Sequence, residues 1–156
     1  MSLETKTNLS DASVGHLQDL IQINIDSKDG FAEAAEQVGD DRIAALFRQI
    51  GEIRSKNADE LQGLVALNNK EPQERGSIAA AFHRTWLDLR AKLSGSDKAA
   101  VLAEAERGED HIKAQYEEAV KADPGSAVSD VLHRQLAEVK AHHDQIRDLR
   151  DAYQAA

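Results

Sequence analysis

The side chains in this chain that could do chemistry are a few carboxylates, one histidine and two cations, all at positions expected to face the inside of helices. Glu109 stands alone on one helix-patterned segment. Glu138 and His142 lie four residues apart on another, which puts both on one helix face. Lys28 and Arg54 occupy inward positions on two further segments, accompanied by Asn24 and Asn57. Bundles that hold two iron ions draw a carboxylate from each of two helices and a Glu-x-x-His from each of the other two. Two hard cations need about six O and N ligands to be satisfied. That pattern is broken here. The first segment offers Asn24 and Lys28 rather than a carboxylate, and the second reads Glu52-Ile53-Arg54-Ser55 where a Glu-x-x-His would stand. Fixed positive charges also repel a metal. The expectation is therefore a buried ion-pair and hydrogen-bond layer of Asn24, Lys28, Arg54, Asn57, Glu109 and His142, with no cofactor and no catalytic residue. Buried charges persist only when paired. The alternative is iron or another divalent metal on Glu109, Glu138 and His142, with Glu106 as a further candidate ligand.

Other constellations are weaker. His142-His143-Asp144 resembles a ligand cluster, but adjacent helical residues point about 100° apart, so His143 is expected in solvent. Glu104, Glu106, Glu109 and Asp110 form an acidic run of the kind that usually makes a solvated face. Ser, His and Asp are abundant, yet no strand-turn-helix context exists to build a nucleophile elbow. No glycine-rich phosphate loop occurs. Phe82 and Trp86 could line a ligand cleft, though gluing their helix to the bundle is the plainer role.

These side chains need helices to position them, and the periodicity supplies them. Apolar residues step by three and four through Leu17, Ile21, Phe31, Ala35 and Val38, with Ser10, Asp11 or Ser13 as N-cap. Gly39 stops this helix and Asp40 caps the next, which runs from about Asp41 to Leu67 on Ile43, Phe47, Ile50, Leu61 and Leu64. So short a link makes the two antiparallel neighbours. Residues 76–94, GSIAAAFHRTWLDLRAKLS, carry a further helical pattern centred on the lone Trp86. Helices from about Asp97 to Ala122 and from about Ser126 to Tyr153 follow, separated by Asp123-Pro124-Gly125, with Asp123 or Ser126 as cap. No segment alternates with period two. Two hairpins joined by a long helical crossover let the second and third long helices run parallel. The expected fold is all-α, a single ferritin-like four-helix bundle domain whose crossover carries an additional helix, with residues 1–10 frayed.

Composition narrows the classes of partner. The chain has 156 residues and a formal net charge of -9, without a clustered basic face for nucleic acid or anionic lipid. No run approaches the roughly 18 apolar residues of a membrane span. There is no cysteine, which excludes disulfides, thiolate nucleophiles and zinc ribbons. The polar start, MSLETKTNLS, has no apolar core of a secretory signal, and a cytoplasmic location is expected.

Four stretches carry a family likeness: LQDLIQINIDSKDGFAEAAE (17–36), AFHRTWLDLRAKLSG (81–95), AEAERGEDHIKAQYEEAV (103–120) and HRQLAEVKAHHDQIRDLRD (133–151). Together they resemble the PA2169 family of bacterial four-helix-bundle proteins, similar to the domain of unknown function 2383 and grouped with the ferritin-like superfamily. The His-x-x-Trp-x-Asp-Leu of the crossover and the Glu-Arg-Gly-Glu-Asp of the following helix are the most specific parts. The resemblance implies the fold and no activity, because the superfamily's iron ligands cannot be carried onto these residues. The expected role is non-catalytic, a structural, stress-related or interaction protein that acts through a protein partner or as a homodimer. The competing expectations are an incomplete metal or redox site and a small-molecule cleft under Trp86.

Overall fold

The helices form where the spacing places them. In the computed structural model they are α1 (Asp11–Gln37), α2 (Asp41–Leu67), α3 (Ala80–Lys92), α4 (Lys98–Ala122) and α5 (Ser129–Ala155). The structure describes residues 4–74, 80–122 and 126–155, with backbone alone at 80–83. Among these residues there is no strand, only an isolated bridge between Thr5 and Asn8. No described helix is long and apolar enough to cross a membrane.

Local chemistry sets the ends. Ser10 caps α1, its hydroxyl accepting from the Ser13 N–H at 3.1 Å. Gly39 takes φ +67°, the left-handed conformation that ends a helix without a Cβ penalty. Asp40 then caps α2 by accepting from the Ile43 N–H at 3.0 Å, while its second oxygen accepts from the Tyr153 hydroxyl at 2.7 Å. At the start of α5 the Ser126 hydroxyl accepts from Val128 N–H, and the helix proper begins three residues later than Ser126. Residues 123–125 lie outside the described chain.

Contacts across the bundle fix its topology. Lys98 on α4 donates to the Val38 carbonyl at the end of α1, and Asn24 meets Tyr116, so α1 and α4 are antiparallel. Tyr153 meets Asp40, and Arg134 meets Glu60, so α2 and α5 are antiparallel too. With both hairpins antiparallel, α2 and α4 run in the same direction across the diagonal, and the crossover must travel the length of the bundle. α3 lies on α4 and α1 on the way.

The apolar core is in two parts. One cluster gathers Leu17, Leu20, Ile21, Leu61, Ile112, Leu132 and Val139 towards one end. The other gathers Phe31, Val38, Ile43, Phe47, Ile50, Leu102 and Ile146 towards the opposite end, with the Phe31 and Phe47 rings edge-to-face at 5.1 Å. Between them all four long helices turn polar residues inward.

Fraying was expected up to residue 10, but the chain is anchored from Glu4 onward. The Glu4 carboxylate accepts from the Ser10 N–H at 2.9 Å, the Ala127 N–H at 2.8 Å and the hydroxyls of Ser13 and Ser126, both at 2.9 Å. The Asn68 side chain bonds the Leu9 N–H and the Lys6 carbonyl, both at 2.8 Å. Two helix starts and one helix end are thereby tied together. Periodicity does not see this clasp because none of its bonds is apolar.

Candidate functional site

The polar level begins with Arg54, whose side chain is fully buried. One of its terminal nitrogens donates to the Glu109 carboxylate, reaching from α2 to α4 across the diagonal. The other lies 3.5 Å from His142 Nδ1 on α5. Burial, reinforced by the Arg54 charge, pushes the His142 pKa down to about 4. The imidazole is therefore neutral near pH 7, and its Nδ1 can accept from the guanidinium. Burial pushes the Glu109 carboxyl up, and the Arg54 charge and hydrogen bond oppose that push. Ser27 from α1 is also buried and lines the same cavity as Glu109.

About two turns away along α4 and α5 lies a hydrogen-bonded relay through all four long helices. Asn24 on α1 donates to the Tyr116 hydroxyl on α4 at 2.7 Å. Tyr116 donates to the Gln135 carbonyl on α5 at 2.7 Å, and Gln135 donates to Glu60 on α2 at 2.8 Å. Glu60 also pairs with Arg134. Burial works against the Glu60 charge, but the bonds from Arg134 and Gln135 hold its pKa below the usual range. Tyr116 is fully buried, and burial pushes its pKa up, so it stays a neutral donor.

Of the residues singled out from the sequence, Asn24, Arg54, Asn57, Glu109 and His142 are all buried; Arg54 joins Glu109 to His142, and Asn24 belongs to the Tyr116 relay. Lys28 is corrected. Its side chain is 41% exposed and its ammonium lies 3.8 Å from Asp29. Either Ser27 or Lys28 satisfies a three-four step between Asn24 and Phe31; the small neutral side chain faces in and the long charged one reaches solvent. Glu138 also stands apart, half-buried and 3.9 Å from Arg134. Glu106 is paired with Arg150. His143 is not in open solvent but lies 3.0 Å from Asp110 and 3.2 Å from Asp144. Glu104, expected on a solvated face, is buried between Lys92 and Arg107, each at 3.1 Å. Trp86 packs on α1, and the Phe82 side chain lies outside the described residues. Tyr116, read from the sequence as part of an apolar stripe, and Ser27 and Glu60 are the members that sequence reasoning missed. Only the hydroxyl of Tyr116, on an inward position, signalled its part.

This donor set does not fit a metal pair. Glu109 is the carboxylate that Arg54 meets, and the guanidinium stands between it and His142. Among the described residues no three His, Asp or Glu side chains converge in a metal-binding arrangement. His142 Nδ1 meets a cation, the Arg54 guanidinium.

No curated protein matches the chain significantly. The family described as "Domain of unknown function (DUF2383)" matches residues 12–122, from the start of α1 to the end of α4. That match includes Asn24, Arg54, Glu109 and Tyr116 and stops short of Gln135 and His142. It covers well over half of the sequence, and the chain belongs to the DUF2383 family.

Proposed function

We propose that this protein is a non-catalytic ferritin-like bundle in which a charge network stands at the level where related folds hold a metal pair. It acts as a structural or interaction protein. The observation that carries this reading is the Arg54 guanidinium between Glu109 and His142. A fixed cation supplies the positive charge that a metal would otherwise bring, and a bound ion beside it would be repelled. The hairpin, crossover, hairpin connectivity supports the ferritin-like assignment, and with it a place beside the bacterial PA2169 proteins. A cytoplasmic location, no metal cofactor, and a protein partner or second copy rather than nucleic acid or membrane complete the proposal; the net charge of -9 supports the last.

Elemental mass spectrometry tests the proposal, on untagged protein purified without chelators and then incubated anaerobically with Fe(II). The expected result is metal at background before and after. Near-stoichiometric iron that disappears in Glu109→Ala and His142→Ala would overturn it.

A further inference from the structure

Beneath α3 there is a cavity of about 30 Å³ with apolar walls and a polar floor. Phe31, Trp86, Leu89 and Ala105 supply apolar lining; Ser27, Thr85, Glu104 and Glu109 supply polar lining. Ser27 is 3% exposed and Glu109 1%, yet the Ser27 hydroxyl and the second Glu109 oxygen, Oε1, meet no hydrogen-bond partner among the described residues. A buried polar atom without a partner costs about 1–3 kcal/mol, so two at the floor of one cavity call for an occupant.

Size and charge choose the occupant. Metabolite pockets measure roughly 300–1,000 Å³, whereas a water needs about 10–15 Å³. A carboxylate oxygen facing the space disfavours an anion. Arg54 on the other Glu109 oxygen, with Lys92 and Arg107 on neighbouring Glu104, disfavours a cation. A neutral hydrogen-bond donor of one or two heavy atoms remains.

We propose that this cavity is a hydration site holding one or two water molecules. They donate to Glu109 Oε1 and bond the Ser27 hydroxyl, with Trp86 as their cover. The water supplies the Glu109 hydrogen bond that no side chain provides, and it links the buried ion pair to solvent under the edge of α3. The crossover helix thus shields a wet polar floor, which explains why carboxylate and hydroxyl groups lie beneath Trp86 where an apolar seam would be expected.

The test is water oxygen-17 magnetic relaxation dispersion on the intact chain, comparing the wild type with Ser27→Val, which removes the hydroxyl and fills the space. The expected result is the loss of one or two long-lived waters in the variant; equal numbers in both would overturn the proposal. Should Ser27→Val fail to fold, a high-resolution crystal structure of the wild type decides. Density at hydrogen-bond distance from both Ser27 Oγ and Glu109 Oε1 is expected. A dry cavity, with the Ser27 hydroxyl turned back to a carbonyl of its own helix, would overturn it.

Discussion

His142 shows most clearly what burial beside a cation does to a single residue. The unfolded chain takes up its proton near 6.5, whereas the folded chain resists until about 4. Stability from this group is therefore complete above pH 6.5 and falls as the pH drops towards 4, by about 1–3 kcal/mol after allowing for solvent screening. His142→Gln keeps an acceptor for Arg54 and removes the titration. Its unfolding free energy is expected to depend less steeply on pH between 6.5 and 4 than that of the wild type, as measured by urea denaturation across that range. Identical slopes would contradict the assignment. Much of the polar layer was legible in the sequence, because Asn24, Arg54, Asn57, Glu109 and His142 interrupt apolar stripes at inward positions. Ser27 was not, since a serine beside a lysine leaves the three-four step ambiguous. Tyr116 was hidden because an inward tyrosine reads as apolar until its hydroxyl finds partners. Glu60 was hidden because its partner is on another helix.

Among the elements, the crossover helix packs on the core through Trp86 and Leu89, followed by Leu93 just past its end, and Trp86 rests on Gly30. A Cβ at Gly30 would lie 3.1 Å from the Trp86 ring. Gly30→Ala gains about 1 kcal/mol of helix propensity and meets an overpacking cost of about 1–3 kcal/mol. Because Trp86 is the sole tryptophan, its emission should shift to the red and stability should not rise. Gly63→Ala, on an exposed face with no atom within 4 Å, is the control and should stabilise by about 1 kcal/mol. Unchanged emission together with increased stability in Gly30→Ala would contradict the packing described. The Glu4 clasp behaves differently. Partial burial opposes its charge, but two N–H and two hydroxyl donors bring its pKa to about 2. Its contribution is present above pH 4.5 and is lost as the pH falls towards 2. Glu4→Gln should cost about 1–2 kcal/mol at pH 7, allowing for solvent screening, and nothing near pH 2. A cost that persists at pH 2 would show that the carboxylate charge is not what matters. Helix positions were readable because capping residues and glycine mark them locally. The clasp was not, since it joins residue 4 to residues 10, 13, 126 and 127.

For the molecule as a whole, the two core clusters on either side of a polar layer explain how a bundle with few aromatics keeps one register. An uninterrupted apolar core would allow the hairpins to slide by a helical turn, whereas a slide here would part Arg54 from Glu109. Buried ion pairs of this kind add little net stability over apolar replacements, while removing one partner alone is costly. The parallel course of α2 and α4 could be foreseen from chain length between the hairpins. The diagonal reach of Arg54 to Glu109 could not, because it depends on which helices become neighbours around the bundle. A double-mutant cycle on this pair tests the account most directly, using Arg54→Met, Glu109→Leu and the combined variant in chemical denaturation. Each single change should cost about 3–5 kcal/mol, and the pair together should cost less than the sum, with a coupling of about 2–3 kcal/mol. Single costs that add to within about 0.5 kcal/mol would mean that Arg54 and Glu109 do not depend on each other, contradicting a charge network at the centre of the bundle.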